Sequence, residues 1–330
     1  MTTTYLITGG AGFIGSHLTD ALLAGGERVI VLDDLSTGRL ANLAHLEGAP
    51  NLRVVIGSVS DALMVDDLVH EADVVVHLAA AVGVKLIIEQ PLRSFTTNIR
   101  GSEIVINAAH RYRRKILIAS TLEIYGKNGG EKLTEDSDRH IGPPTVARWA
   151  YSEAKAVDEI LALTYHRERQ LPAIVVRFFN TVGPRQTGQY GMVVPTFVRQ
   201  ALMGEPITVF GDGNQQRSFT YVGDVVGALL KLMVLPAAIG QVFNVGNTEE
   251  VTIRGLAERI KAATGSASEI VTIPYDQAYE EGFEDMPRRV PDLAKIEKAI
   301  GYVPQVGLDE IISRVVAEKR SFAGSNRSIR

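Results

Sequence analysis

The chain contains no cysteine. A disulfide scaffold, a thiolate zinc site, an iron–sulfur cluster and a cysteine nucleophile are excluded, and a reducing compartment is expected. No uninterrupted apolar run approaches the roughly 18 residues of a membrane span. The opening MTTTYLITGGAGF lacks the basic region and the long apolar stretch of a signal peptide. The expectation is a cytoplasmic protein without a membrane partner. A strong charge of one sign is missing too. Lys and Arg number 34 against 38 Asp and Glu, a formal net charge of −4, so a broad nucleic-acid surface is not expected. The basic run at 110–115 reads as a solvated helix end. The seven histidines show no ligand spacing, so no metal is expected.

What is present is alternation. Short runs rich in Val, Ile and Leu lie at about 4–8, 28–32, 52–56, 73–79, 115–119 and 173–179. Such runs suit parallel strands buried on both faces. Stretches of helical spacing separate them, as with Leu18, Ala21 and Leu22. The pattern predicts an α/β fold with a doubly wound parallel sheet, with any ligand at the strand C-terminal edge. After about residue 180 the order loosens. A helix near 193–203, a helix at about 222–234, a strand at about 241–246, a helix at about 253–264, a strand near 269–273 and two final helices are expected. They predict a smaller α/β domain over the sheet edge, built from 180–210 and 251–330. The first domain takes 1–179, with about 211–250 returning to it.

Gly9, Gly12 and Gly15 form G-x-x-G-x-x-G between the first strand and a helix. Glycine permits the tight turn and the close approach of backbone to a pyrophosphate, and the helix N-terminus offers free N–H groups. Asp33 follows eighteen residues after Gly15, at the end of the second strand. It suits a ribose hydroxyl and repels a 2′-phosphate, which predicts NAD rather than NADP. Further on, Tyr151 and Lys155 are four apart and share one helix face. A neighbouring ammonium lowers a tyrosine pKa from about 10, so Tyr151 can take a proton from a hydroxyl while hydride leaves. Thr121, at the end of the fifth strand, suits the same hydroxyl.

These motifs carry a resemblance. TGGAGFIGSHL (8–18), LDDLSTG (32–38), VVHLAA (75–80), ASTLEIYG (119–126), YSEAK (151–155), RFFNTVGPR (177–185), VFGDGNQQRSFTYVGD (209–224) and RRVPD (288–292) occur in order. From about residue 4 to about 320 the chain resembles the extended short-chain dehydrogenase/reductases that act on nucleotide sugars. The resemblance implies a Rossmann-type first domain with NAD held by Gly9, Gly12, Phe13, Ile14, Gly15, Asp33, Asp34, Ser36, Thr37, Gly38, Ser58, Val59, Leu78, Ala79, Ala80, Asn98, Tyr151 and Lys155. It implies a nucleotide-sugar site with Lys85, Thr121, Asn180, Arg185, Val194, Phe210, Arg217 and Arg289, a UDP-sugar being favoured. Asn180, Arg217 and Arg289 would meet the diphosphate and Phe210 the base. It also implies a homodimer through helices at about 92–112 and 150–168, with Ala154, Ala156, Val157, Ile160 and Leu161 as the apolar stripe.

Family enzymes share oxidation at C4 and then diverge. Leu122 stands where 4,6-dehydratases carry an acid, which disfavours dehydration. Thr121, Glu123, Tyr125 and Gly126 match the Thr-Ser-Glu-Val-Tyr-Gly of UDP-glucuronate decarboxylases, with Leu122 in place of Ser. Lys85 resembles a substrate lysine of the 4-epimerases. Decarboxylation is the first expectation and 4-epimerisation the second, with Glu123 as the group of the later step. A non-catalytic NAD-binding sensor is disfavoured by the Thr121, Tyr151, Lys155 set.

Overall fold

The computed structural model describes residues 2–82, 91–128, 132–188, 191–278, 286 and 288–325. The first half runs β1 (Thr4–Thr8), α1 (Phe13–Ala24), β2 (Arg28–Asp33), β3 (Leu52–Ile56), α2 (Ala62–Glu71), β4 (Val74–His77), α3 (Gly101–Arg111), β5 (Lys115–Thr121), α4 (Ala150–Arg169) and β6 (Ala173–Phe178). The second runs β7 (Thr181–Val182), α5 (Val193–Met203), β8 (Ile207–Phe210), β9 (Gln216–Ser218), β10 (Thr220–Tyr221), α6 (Val222–Val234), β11 (Val242–Val245), β12 (Glu250–Thr252), α7 (Ile253–Thr264), β13 (Ile270–Ile273), β14 (Arg288–Arg289), α8 (Ala294–Ile300) and α9 (Leu308–Ser325).

Seven strands form one parallel sheet in the order β11-β6-β5-β4-β1-β2-β3. The order reverses between β1 and β4, which opens a crevice at their C-terminal ends. Aliphatic runs explain the central strands. Leu6, Ile7, Val75, Val76, Ile116, Leu117, Ile118 and Val175 are all buried, split between the two faces. Complete burial of such a side chain contributes about 1.5–3 kcal/mol. One face packs on α1 and α6, the other on α2, α3 and α4. β3 departs from the expected two-sided burial. It is the edge strand, with Val54 38% and Ile56 60% exposed. β4 ends at His77, short of the apolar run at 73–79.

The smaller layer has its own core of α5, α7 and α9 side chains, among them Phe197, Leu256 and Ile312. β8 pairs with β13, and β9 lies between β12 and β14. Within 211–250, α6 and β11 belong to the large sheet, whereas β9 pairs in the smaller layer. The expected stripe on α4 divides. Ala154 and Ala156 are buried within the chain and Leu161 packs against the core. Val157 and Ile160 are 41% and 61% exposed.

Candidate active site

The two layers enclose a cleft of about 600 Å³ at the C-terminal edge of the large sheet. One end is the turn from β1 into α1. Gly9 has φ +75°. A Cβ on Gly15 would come within 2.2 Å of the Gly9 carbonyl oxygen, so only glycine lets α1 start this close to the strand. Gly12 is the N-cap, no side chain caps α1, and its first turn holds no acid. The first N–H groups are therefore available to an anion. Asp33 at the end of β2 accepts N–H bonds from Ala11 at 3.0 Å and Leu35 at 2.8 Å. Burial raises its pKa, and those N–H groups oppose the rise. This glycine cradle beside a carboxylate fits the pyrophosphate and ribose of a dinucleotide.

Phe13, Ile14, Asp34, Ser36, Thr37, Val59, Leu78, Ala79 and Ala80 also line the cleft. Gly38, Ser58 and Asn98 do not line it; they support it from behind. A Cβ on Gly38 would lie 2.6 Å from Asp33 Oδ1, so its glycine makes room for that carboxylate. The Ser58 hydroxyl accepts the Ser60 N–H at 3.2 Å. Asn98 accepts the Ala81 N–H at 2.8 Å and donates to the Ala81 carbonyl at 3.2 Å, which fixes the loop after β4.

Thr121, Glu123, Tyr151 and Lys155 meet at the middle of the cleft. β5 delivers Thr121, whose hydroxyl accepts the Glu123 N–H at 3.2 Å. The 3-10 turn Leu122–Tyr125 then carries Glu123 back alongside. Ser152 donates to the Glu123 carbonyl at 2.8 Å and ties that turn to the start of α4. The pKa of Tyr151 moves opposite to the expected direction. Burial, then the charges of Glu123 and Asp158, hold its phenol above the usual 10, against a hydrogen bond with Thr121. Lys155 is engaged elsewhere: its ammonium lies 3.0 Å from Asp158 Oδ2, and both side chains are buried.

Asn180, Val194, Phe210, Arg217 and Arg289 line the other half. Two of the expected arginines pair with carboxylates. Arg289, expected at a diphosphate, lines the cleft with its Nη1 2.5 Å from Glu123 Oε1. Arg185 does not line the cleft; its guanidinium pairs with Asp20 on α1 at 2.7 Å, and its N–H donates to Glu318 on α9. Lys85 lies outside the described residues.

Sequence reasoning missed Arg148 and Asp158. Arg148 is buried, lines the cleft, and lies 3.2 Å from Glu123 Oε2, so one carboxylate bridges two guanidinium groups. The Met286 sulfur is 3.6 Å from Arg148 and 2.9 Å from Arg289. A signal was present. Positions 148, 151, 155 and 158 follow a 3-4-3 spacing, which is one helix face. Among the described residues no cluster suits a metal ion, and no helix is long and apolar enough to cross a membrane.

The sheet order, the glycine turn and the Tyr–Lys pair define a dinucleotide-binding α/β protein of the doubly wound class. Residues 5–246 match the NAD dependent epimerase/dehydratase family, and the chain belongs to it. It is 38% identical over 312 residues to a UDP-N-acetyl-alpha-D-glucosaminuronate decarboxylase of Bacillus cytotoxicus, covering 94% of this chain and 96% of that protein. It is 37% identical to UDP-glucuronic acid decarboxylase 1 of Danio rerio, covering 94% of this chain and 71% of that one. A solved UDP-glucose 4-epimerase of Thermotoga maritima superposes with a TM-score of 0.87 at 33% identity, covering 97% of this chain and 99% of that chain.

Proposed function

We propose that this protein is a UDP-glucuronate decarboxylase. It oxidises the sugar at C4, releases the C6 carboxyl as CO2 and restores the C4 hydroxyl, forming UDP-xylose. The observation that carries the reading is the placing of Glu123, Arg148 and Arg289 together beside Tyr151 and Thr121. Guanidinium is the group that receives a sugar carboxylate in bidentate fashion. The two relatives with decarboxylase names, at 37–38% identity over 94% of the chain, support the same reading.

The chemistry follows from where the side chains stand. Thr121 and Tyr151 meet the C4 hydroxyl, and Tyr151, once ionised, takes its proton. NAD, held by the glycine turn and Asp33, would supply the hydride acceptor for C4 and the donor for the later reduction. The 4-ketone makes the C6 carboxylate a β-keto acid. Loss of CO2 passes the C5–C6 bonding pair towards the C4 oxygen, which faces the now protonated Tyr151. A proton from water is then added at C5, and Tyr151 returns its own to the C4 oxygen as the ketone is reduced. Glu123 holds the two guanidinium groups and sets a like charge near the carboxylate that must leave as neutral CO2. Arg217 and Asn180 take the diphosphate, with Phe210 and Val194 against the base. Exposed Leu92, Phe95, Val157 and Ile160 support a homodimer, and a cysteine-free chain supports a cytoplasmic location.

The likeness to a 4-epimerase structure favours 4-epimerisation as the second reading. The test is incubation with UDP-glucuronate and NAD followed by proton NMR. UDP-xylose with CO2 is expected. UDP-galacturonate with its carboxylate intact would replace the decarboxylase by a 4-epimerase. Turnover of UDP-N-acetylglucosaminuronate alone would move the substrate to the 2-acetamido sugar.

A further inference from the structure

We propose that Asp158 is a positioning residue of the reaction: it clamps the Lys155 ammonium from behind, and a directed chain of hydrogen bonds ties its own carboxylate to the loop bordering the cofactor cleft. This rests on the reading of Tyr151 as base and Lys155 as its partner. Lys155 and Asp158 are each 1% exposed, and their charged atoms are 3.0 Å apart. An ion pair this deep needs support at its remaining atoms. Asp158 Oδ1 has no partner in full hydrogen-bond geometry among the described residues, while the Ser102 hydroxyl stands close enough to lower the carboxyl's pKa.

The chain behind Ser102 runs through His77 and Thr8 to the loop after β4. The Ala79 N–H must donate, and Thr8 Oγ1 accepts it at 3.3 Å. The Thr8 hydroxyl is 2.7 Å from His77 Nδ1, and His77 Nε2 is 3.0 Å from Ser102 Oγ. Burial, then the Lys155 charge, lower the His77 pKa to about 3, so the ring is neutral and carries one proton. In the proposed chain Ser102 turns its hydrogen to Asp158 and accepts from Nε2–H, which leaves Nδ1 bare to accept from Thr8. Ala79 and Ala80 line the cofactor end of the cleft, and Lys155 lines its middle. The chain thus joins the two.

The consequence falls on Tyr151. It is faced by Thr121, by Glu123 with its partners Arg148 and Arg289, and by Asp158, while Lys155 lies four residues on along α4 and is paired with Asp158. Asp158 is faced by Lys155, by Ser102 and by Glu159, which is paired with Arg177. Lys155 is also faced by neutral His77. The Asp158 charge itself raises the Tyr151 pKa and its pairing holds the Lys155 ammonium, so Tyr151 keeps its proton to higher pH.

The test reads Tyr151 ionisation as the ultraviolet difference between the protein and its Tyr151→Phe variant, with and without Asp158→Asn. The midpoint is expected to fall by about one pH unit in Asp158→Asn. An unmoved or higher midpoint overturns the proposal. In single turnover with UDP-glucuronate and NAD, the acid limb of C4 oxidation should move the same way, a roughly tenfold gain below the limb. If the unaltered protein oxidises no UDP-sugar, the functional reading fails while the titration still decides Asp158. Where Asp158→Asn does not fold, NMR of isotope-labelled histidine in the unaltered protein decides the chain. One ring should be an Nε2–H tautomer that stays neutral down to about pH 5. An Nδ1–H tautomer, or protonation of that ring in the ordinary range, overturns it.

Discussion

Glu123 is one side chain with three neighbours that define it: Arg148 at 3.2 Å, Arg289 at 2.5 Å and the Tyr151 phenol whose pKa it helps raise. Replacing it by Gln removes charge but keeps shape. In Glu123→Gln, NAD affinity should stay within about twofold and C4 oxidation should proceed, while CO2 release slows about 10²–10⁴-fold. NADH absorbance in single turnover against trapped CO2 separates the steps; full CO2 release would reduce Glu123 to a scaffold. His77 makes a second prediction. Its folded pKa lies below its ordinary 6.5, at about 3. The unfolded chain therefore takes up a proton that the native protein refuses, and stability falls as pH drops from 6.5 towards 3. By about pH 4.5 this group alone costs about 2–3 kcal/mol. Urea unfolding at several pH values should show that slope, flattened in His77→Gln.

At the scale of elements, α4 is the part on which the site depends. It carries Tyr151 and Lys155 towards the cleft and Glu159 towards the sheet. Arg177 on β6 forks onto Glu159 at 2.9 and 2.7 Å, and donates to the Tyr125 hydroxyl at 2.9 Å and the Glu135 carbonyl at 2.8 Å. Ser120 on β5 donates to the same carboxylate at 2.5 Å. This knot pins the helix to β5 and β6 just below the catalytic turn. Removing one partner leaves a buried charge uncompensated. Glu159→Ala should therefore lower stability by about 3–5 kcal/mol, whereas Glu153→Ala, at a half-buried surface pair with Arg139, should cost about 1 kcal/mol or less. Urea midpoints with unchanged m-values test it.

At the scale of the whole molecule, the cleft exists because two layers close on one sheet edge. Arg185 fastens them, with its guanidinium on Asp20 of α1 and its N–H on Glu318 of α9. Outside the cleft, Leu92 is 83%, Ile160 61% and Val157 41% exposed on neighbouring helical segments. Exposed aliphatic side chains grouped in this way suit a partner surface. A second copy is the proposed partner, so Ile160→Glu should sediment as a monomer where the unaltered chain sediments as a dimer. Its unfolding free energy per chain, extrapolated to the monomer, should change by only about 0.5 kcal/mol, since the side chain packs little within its own fold.

The strands, the helices and the glycine turn were legible because each rests on local spacing. Buried parallel strands are unbroken aliphatic runs, and α5, α6 and α7 match the helices expected from periodicity. The family was legible for the same reason, since its motifs are contiguous. What spacing does not encode is which distant charge meets which. Arg289 lies 166 residues from Glu123, and only the pairing of β14 with β9 brings its strand under the cleft. Arg185 was drawn to Asp20 by the closing of the layers, not by anything near it in the chain. Gly38 lies in a family motif yet supports the cleft from behind, because a motif records neighbours along the chain and not the direction of a side chain. The sequence by itself determined the architecture and the cofactor turn. The tertiary structure decided the ion pairs of the site, because charge pairing depends on distance in space and on burial.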